Sequence, residues 1–172
     1  MAKSELILGA GLSREKRMRW ADSDNIEFEN PVTLDIQEPC DVLWDLNDTA
    51  LPFRDERFHE IHAYEVLEHV GTQGDVKFFF DQFRDFYRIL KPGGYICISV
   101  PMWDSPWSFG DPGHTRVLPK EIFSFLNPEH YAQCEREDSS SADYRPLLGD
   151  INFQPVGMEE SEHQLAVILQ KA

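Results

Sequence analysis

Residues 6–13 are Leu6-Ile7-Leu8-Gly9-Ala10-Gly11-Leu12-Ser13, an apolar run directly before two closely spaced glycines. An uninterrupted apolar run is typical of a buried parallel strand. Gly9 and Gly11 let the backbone turn sharply and approach a ligand without an intervening Cβ. The stretch predicts a strand, a turn and the start of a helix, although a tight turn without any ligand would leave the same pattern.

The next apolar run, at residues 32–34, ends at Asp35. In nucleotide-binding folds an acidic residue about 20 residues beyond the glycines accepts hydrogen bonds from two ribose hydroxyls. We therefore predict that Asp35 binds a ribose, with an exposed loop aspartate as the alternative. Arg14 stands where the dinucleotide pattern GxGxxG needs its last glycine, so the turn favours a nucleoside without phosphates over NAD. A nicotinamide oxidoreductase is the less favoured hypothesis.

Apolar runs alternate with amphipathic segments along the rest of the chain, which indicates an α/β protein with a mainly parallel sheet. The clearest helix is predicted at residues 75–90, where apolar side chains recur every three or four residues and Lys91-Pro92-Gly93-Gly94 ends the pattern. Shorter helices are predicted at 13–20 and 119–126. Strands are predicted at 6–8, 32–34, 41–44, 58–63, 95–100, 152–160 and 164–170.

Two connections in this pattern are unusually short. Residues 161–163 link the last two predicted strands, which suits an antiparallel pair. Residues 36–40 alone separate the second and third strands, whereas a parallel crossover needs about a dozen residues or more. We expect the helix that would cover this crossover to be missing.

Charge and composition exclude several classes of function. The chain of 172 residues has a formal net charge of -15, so binding to duplex nucleic acid is not expected. A local basic run, Arg14, Lys16, Arg17 and Arg19, would either contact an anionic ligand or form a solvated helix face, and we favour the second. The sequence has no apolar stretch that could span a membrane and no secretory leader, so we expect a cytoplasmic protein.

Cysteine and histidine spacing gives no sign of a metal or a disulfide. Cys40, Cys97 and Cys134 lie far apart, and no pair has the spacing of a zinc motif. Cys97 falls within an apolar strand and is predicted to be a small core residue. We therefore expect neither a disulfide nor a bound metal.

Four motifs then follow in order and at close spacing: DLNDTALPF at 45–53, FHEI at 58–61, EVLEHV at 65–70 and RILKPGG at 88–94. With the glycine turn, they resemble the class I S-adenosylmethionine-dependent methyltransferase family over roughly residues 6–101. The resemblance implies a doubly wound, Rossmann-like fold of three layers, αβα. Its seven-stranded sheet would be mostly parallel with an antiparallel last strand, and the short connection at 36–40 predicts a reduced helical layer.

The same resemblance divides residues 1–172, expected to form a single methyltransferase domain, into three parts. Residues 1–100 would bind the cofactor, residues 101–150 would form a substrate loop or lid, and residues 151–172 would add the terminal strand pair. The cofactor would be S-adenosylmethionine and the product S-adenosylhomocysteine.

The resemblance also assigns cofactor-binding residues to the first two strand ends. Gly9, Ala10 and Gly11 would lie beside the methionine portion of the cofactor. Asp35 would hold the ribose, and Ile36 would pack on the adenine. Ser13 departs from the family, which has a third glycine at this position, so the amino end of the cofactor would be held more loosely.

Further cofactor contacts are implied at the third and fourth strands. Asp45 and Leu46 would meet the adenine edge, with Asp45 accepting from the amino group. Ala63 and Tyr64 would line the methionine and methyl end. His69 is assigned to shaping the fold.

The segment 101–118 follows the fifth strand and is expected to contact the methyl acceptor. Asp111-Pro112-Gly113-His114-Thr115-Arg116 is similar to a DPxHxR segment of some family members. His114 would act as a base or orient the acceptor, or it would only fix the loop.

Arg116 has two predicted roles. It would bind an acceptor carboxylate or phosphate, or form a salt bridge with Asp111 or Glu121.

Aromatic side chains in and near this segment are candidates to attract the sulfonium of the donor through cation–π contact. They are Tyr64, Trp103 and Trp107. The sequence thus predicts methyl transfer to an unidentified acceptor, such as a small molecule, a glycan or a lipid precursor. The alternative is a cofactor-binding or partner module without catalysis, motivated by Ser13 and by the absence of a predicted helix before the first strand.

Overall fold

A computed structural model gives the structure of the protein and describes residues 3–18 and 27–172. Its strands are β1 Glu5–Leu8, β2 Val32–Asp35, β3 Val42–Leu43, β4 Phe58–Tyr64, β5 Leu90–Pro101, β6 Phe153–Glu160 and β7 Gln164–Lys171. Its α-helices are α1 Val76–Ile89, α2 Pro106–Gly110, α3 Pro128–Arg136 and α4 Arg145–Leu148. Two 3₁₀ helices are Leu67–His69 and Lys120–Leu126.

The strands form one seven-stranded sheet in the order β3-β2-β1-β4-β5-β7-β6. Pairs from β3 to β5 are parallel, and β7 is antiparallel to both β5 and β6. The predicted Rossmann-like α/β fold with an antiparallel last strand is confirmed. Because parallel strands end at the same edge, the residues that follow β1, β2, β3 and β4 meet there.

The core lies on one face of this sheet and is rich in phenylalanine. Phe79, Phe80, Phe83 and Phe86 of α1 are all buried. They pack with buried strand residues of the same face: Leu6, Leu8, Leu34, Ile61, Ile96, Ile98 and Val167. The helix begins where its periodicity predicts, since the Asp75 carboxylate accepts from Phe78 N at 3.0 Å.

The predicted turn after α1 is only half correct. The helix ends at Ile89 as expected, but Leu90 already pairs with Phe58 of β4. The next pair is Glu60 with Tyr95, so residues 91–94 form an irregular, bulged part of β5. Gly93, at a φ of 74°, supplies the left-handed backbone that this bulge needs.

The opposite face of the sheet carries charge. Glu5 and Glu60 are register partners on β1 and β4, and both are buried. Lys16 Nζ lies 2.6 Å from Glu5 Oε1 and 2.5 Å from Glu60 Oε2. Burial raises the pKa of Glu60, but hydrogen bonds from His62 and Lys16 and the charge of Lys16 outweigh it, so the pKa lies below the ordinary value.

The helix predicted at residues 13–20 is wrong for residues 13–18, which have no regular structure; residues 19 and 20 lie outside the described part. Lys16 turns inward to the two carboxylates instead of joining a solvated helix face. Arg14 donates to the carbonyl oxygens of Gly11 and Ser13, and Arg17 lies 5.6 Å from the Tyr64 ring. Arg19 lies outside the described residues.

The connection between β2 and β3 is as short as predicted. Residues 36–41, all of them described, contain no helix, and β3 has two residues. The helix predicted at 119–126 is a 3₁₀ helix, Lys120–Leu126. Residues 101–150 also contain α2, α3 and α4, none of which was predicted. In the described residues, no helix is both long and apolar enough to cross a membrane.

Phe83 and Phe109 provide a matched test of the core. Phe83 is fully buried, whereas Phe109 is 78% exposed. We expect Phe83→Ala to lower the free energy of unfolding by about 3–5 kcal/mol, because it leaves a cavity among aromatic rings. Phe109→Ala should change it by no more than about 0.5 kcal/mol in the same urea titration. Similar losses in both variants would contradict this packing.

Lys16 provides a test of the charged face. Lys16→Met should lower the free energy of unfolding by about 3–5 kcal/mol, because buried Glu5 loses its counter-charge and buried Glu60 keeps only the partly exposed Lys3. Lys77→Met, at a pair whose lysine side chain is 77% exposed, should cost no more than about 1 kcal/mol. Adding Glu5→Gln and Glu60→Gln to Lys16→Met should recover much of the loss. A Lys16→Met protein as stable as Lys77→Met would refute the assignment.

The charged face also predicts an acid dependence. Because the pKa of Glu60 is lowered from 4.5, its contribution to stability is present above pH 4.5 and is lost as the pH falls below that value. Unfolding measured from pH 6 downward should therefore show a smaller loss in the Glu60→Gln variant than in the unmodified chain.

Candidate functional site

A cleft of about 280 Å³ lies at the carboxyl edge of the sheet. It occupies the point where the strand order reverses, since β2 lies on one side of β1 and β4 on the other. Open α/β sheets bind their ligands at this position. The residues that line the cleft are Gly9, Asp35, Ile36, Trp44, Asp45, Leu46, Asn47, Val66, His69 and Val70.

Gly9 allows the chain to pass close to β4. Its φ is +58°, and a Cβ added at this position would lie 2.3 Å from Val66 Cγ2. The amide of Gly9 donates to Leu34 O at 2.9 Å, which holds the turn against β2. Gly11 has a φ of +48°, but a Cβ there would meet nothing within 4 Å. Steric need is therefore specific to Gly9, while Gly11 serves the turn through its backbone angle.

Asp35 holds the glycine turn through its carboxylate. Oδ2 accepts from Gly11 N at 2.8 Å, and Oδ1 accepts from Gln37 N at 3.0 Å. Each carboxylate oxygen can accept more than one hydrogen bond, so both retain capacity toward the cleft. The arrangement can accept from two neighbouring hydroxyls without releasing the turn.

Asp45 follows β3 and is oriented by its own loop. Its Oδ1 accepts from the backbone and side-chain nitrogens of Asn47 at 2.8 and 2.9 Å. Asn47 Oδ1 in turn accepts from Gly71 N at 2.8 Å, which connects this loop with the segment after β4. Among the described residues, Asp45 Oδ2 has no hydrogen bond, so it can accept from a ligand in the cleft.

Comparison with known proteins agrees with this geometry. The family model described as "Methyltransferase domain" matches residues 29–98, which contain Asp35, Asp45 and all of β2 to β4. Over that stretch the chain is similar to the class I S-adenosylmethionine-dependent methyltransferase family. S-adenosylmethionine is the methyl donor of that family. A search of curated protein sequences found no match.

Several solved structures share the methyltransferase fold. A SAM dependent methyltransferase from Archaeoglobus fulgidus is 18% identical, with 99% of this chain and 86% of that chain covered at a TM-score of 0.57. The 1,6-didemethyltoxoflavin-N1-methyltransferase of Burkholderia thailandensis was solved with 1,6-didemethyltoxoflavin and S-adenosylhomocysteine. It is 15% identical, with 99% of this chain and 72% of that chain covered at a TM-score of 0.59. N-methyltransferase NodS of Bradyrhizobium japonicum, solved with S-adenosylhomocysteine, is 16% identical, with 99% of this chain and 79% of that chain covered at a TM-score of 0.51.

The structure brings five of the nine predicted cofactor residues to the cleft: Gly9, Asp35, Ile36, Asp45 and Leu46. Ala10 is buried and Gly11 faces open space, and neither lines it. The sequence assigned His69 to shaping the fold, but its side chain lines the cleft together with Trp44 and Asn47. Their position in the segments that follow β3 and β4 was the available signal, because the segments after parallel strands lie at this edge.

Ala63 and Tyr64 are not brought to the cleft by their side chains. Ala63 is fully buried in the apolar core, and Tyr64 lies on the charged face. The Tyr64 hydroxyl contacts His62 Nδ1 at 2.7 Å and accepts from Met18 N at 3.1 Å. Alternation along β4 explains both positions, because neighbouring side chains point to opposite faces.

The two tryptophans of the predicted acceptor segment are exposed. Trp103 is 57% exposed and Trp107 is 62% exposed, and both lie just beyond the end of β5. Neither lines the cleft. A second cavity, of about 260 Å³ and lined by Phe79, Phe80, Ile122 and Phe125 among others, shares no residue with the cleft.

Arg116 is buried and serves the fold. Its Nε donates to Leu67 O at 2.8 Å and its Nη2 to Gln82 Oε1 at 2.6 Å. The predicted salt bridge with Asp111 or Glu121 is wrong, because the guanidinium donates to the Leu67 carbonyl and the Gln82 amide oxygen and not to a carboxylate. Burial lowers the pKa of Arg116 to about 10, opposed by the charge of Glu68.

His114 lies beside a buried carboxylate. Its Nε2 is 4.0 Å from Glu68 Oε1 and 3.9 Å from Asp111 Oδ2, and its ring centroid is 4.6 Å from that of His69. Glu68 is 2% exposed, and burial, aided by the charges of Glu65 and Asp111, raises its pKa to about 8. His114 does not line the cleft, but His69 connects the two places.

The two glycines of the turn provide a matched test. Gly11→Ala should lower the free energy of unfolding by about 1–2 kcal/mol, the cost of a left-handed backbone at alanine. Gly9→Ala should cost more, because its Cβ also overlaps Val66. Thermal and urea denaturation measure both. Adding Val66→Ala should recover part of the loss in Gly9→Ala and none in Gly11→Ala, and equal losses in the two single variants would contradict the close approach.

Proposed function

We propose that this methyltransferase domain binds S-adenosylmethionine in the cleft lined by Gly9, Asp35 and Asp45 and transfers its methyl group to a small molecule, a glycan or a lipid precursor. The observation that carries the proposal is the position of Asp35 and Asp45. They stand at the ends of neighbouring strands, beside the glycine turn and at the reversal of strand order.

The cleft fits the chemistry of the cofactor. Asp35 would accept from the two ribose hydroxyls, and Asp45 would accept from the adenine amino group through the oxygen that its loop leaves open. Ile36, Leu46 and Trp44 supply apolar surface for the base. Gly9 lies so close to Val66 that it cannot carry a side chain, and the methionine portion would pass along this bare backbone.

The bound donor would supply an electrophilic methyl group on a sulfonium. The protein then has to align an acceptor and exclude water, and proximity alone accounts for a large part of such acceleration. His114, as a base or an orienting group, and Arg116, Trp103 and Trp107, as acceptor contacts, stay predictions. Of these, Arg116 already directs two of its N–H groups to the fold.

A small acceptor is supported by charge and by similar folds. The net charge of -15 opposes the approach of a polyanion. The Burkholderia structure similar to this chain is named for methylation of 1,6-didemethyltoxoflavin, which is its bound ligand.

Binding of S-adenosylhomocysteine, followed by titration calorimetry, tests the cofactor site. Asp35→Asn should weaken binding about 10- to 100-fold, because hydrogen bonds to a charged group contribute about 1.5–3 kcal/mol. Asp48→Asn makes the same change of charge at an exposed residue outside the cleft and should bind like the unmodified chain. NADH should not bind.

Two results would overturn the proposal. One is absence of S-adenosylhomocysteine binding by the unmodified chain, and the other is equal affinity in the Asp35→Asn and Asp48→Asn variants. Release of S-adenosylhomocysteine from S-adenosylmethionine, screened against a library of hydroxyl, amine and carboxylate acceptors, measures transfer itself. Binding without release by any acceptor would favour the module without catalysis.

A further inference from the structure

Glu68 is the most unusual charged group in the described part of the chain. Its side chain is 3% exposed, and neither carboxylate oxygen has a hydrogen-bond partner among the described residues. A buried polar group without a partner costs roughly 1–3 kcal/mol, and a charged one costs more. Such a group calls for an explanation, such as an ion that binds to it.

The groups around Glu68 are of the types that bind metal ions in proteins. One ligand atom each from Glu68, His69 and His114 lies within 4.8 Å of the other two. His114 Nε2 is 3.9 Å from Asp111 Oδ2, so a second carboxylate lies beside the cluster. Two ligands on one tetrahedral zinc ion, at about 2.0–2.2 Å from it, lie closer together than this, so the cluster has to contract by roughly 1 Å.

The geometry points to a binding site for a first-row divalent transition metal, with Glu68, His69 and His114 as ligands. Two imidazoles with one carboxylate form a set that suits zinc, iron and related ions, whereas magnesium and calcium prefer oxygen ligands alone.

The surroundings of His69 support this assignment. His69 Nδ1 lies 3.1 Å from Gly113 O, and a carbonyl can only accept, so the ring donates from Nδ1. The neutral ring then presents the lone pair of Nε2, which is the arrangement that metal-binding histidines use. Asp111 is oriented in a similar way, because its Oδ1 accepts from Gly113 N at 2.7 Å and leaves Oδ2 toward His114.

The two ligand segments are held together by the backbone. The Thr115 amide donates to Glu68 O at 2.8 Å, and the Gln73 amide donates to Thr115 O at 3.1 Å. A Cβ on Gly113 would lie 3.1 Å from His69 Nδ1, so the segments approach as closely as a glycine permits. The site is therefore largely formed before a metal binds, and exposed His69 gives it a route to solvent.

A second cluster of possible metal ligands, Glu5, Glu60 and His62, has two carboxylates and one histidine and differs in its surroundings. The ammonium of Lys16 already lies between its two carboxylates, at 2.6 and 2.5 Å. A cation is thus present in that cluster. In the Glu68 cluster no lysine or arginine forms an ion pair with the carboxylate among the described residues, and Arg116 donates to Leu67 and Gln82 instead.

The inference departs from the expectation, drawn from cysteine and histidine spacing, that no metal is bound, and it replaces a predicted role of His114. If His114 binds a metal, the nitrogen that it uses is no longer available as a base. The site itself does not depend on the proposed function, because Asp35 and Asp45 belong to different elements and only His69 is shared with the cleft.

Cobalt and zinc titrations of tag-free, chelator-treated protein test the site. We expect one Co²⁺ per chain with d–d absorption bands, displacement of Co²⁺ by one equivalent of Zn²⁺, and no competition by Mg²⁺. Glu68→Gln and His114→Asn should each weaken Zn²⁺ binding by at least about 10- to 100-fold, since even loss of a supporting second-layer contact has that effect.

Matched controls separate the site from other ligands. His163→Asn removes an exposed histidine that lies 3.8 Å from Glu162, and Cys134→Ser removes a thiol 3.8 Å from His130. Both should bind Zn²⁺ like the unmodified chain. Circular dichroism in the presence of a chelator should show all four variants folded, and Glu68→Gln keeps the shape of the side chain.

The outcomes distinguish this inference from the proposed function. Absence of stoichiometric Co²⁺ or Zn²⁺ binding overturns the inference, and so does equal affinity in Glu68→Gln, His114→Asn and the controls. Binding of S-adenosylhomocysteine is measured separately on the same proteins. Zinc binding without S-adenosylhomocysteine binding would overturn the proposed function and support the metal site, and the reverse result would do the opposite.

Discussion

Two carboxylates of like charge face each other at the centre of the sheet. Glu5 and Glu60 occupy paired positions on β1 and β4, where like charges destabilise strand pairing. The ammonium of Lys16 lies between them, and Lys3 Nζ lies 3.1 Å from Glu60 Oε1, so both carboxylates have a cationic partner. The β1–β4 pair borders the cleft, since Gly9 follows β1 and Val66 follows β4. The cleft therefore borders the strand pair that these ion pairs stabilise on the opposite face of the sheet.

The two faces of the sheet divide the work of holding the fold. One face is apolar and packs against the phenylalanines of α1, so its stability comes from burial. The other face carries charged and polar side chains, which are stable when buried only if they form ion pairs and hydrogen bonds with one another. Parallel strands are usually apolar on both faces. Residues 13–18, which contain Lys16, supply a cation to the polar face without forming a helix.

The edge of the sheet concentrates functional groups for a geometric reason. Each parallel strand delivers its following residues to the same side, so Asp35, Asp45 and His69 meet although they come from three different loops. The Glu68 cluster lies next to them because the segment around His114 is hydrogen-bonded to the segment after β4. An acid cleft and a histidine-rich cluster thus share one border, at His69.

The sequence by itself determined the features that depend on local pattern. Periodicity located α1, apolar runs located the strands, and the end of the second strand pointed to Asp35, whereas the role of Asp45 followed only from the family resemblance. These rules hold because a strand's direction and a helix's repeat are fixed by the backbone. Tertiary structure alone decided the partners of Lys16, the orphaned carboxylate of Glu68 and the inward position of Tyr64. Those features depend on which segments, far apart in sequence, pack together, and residue spacing along the chain does not encode such contacts.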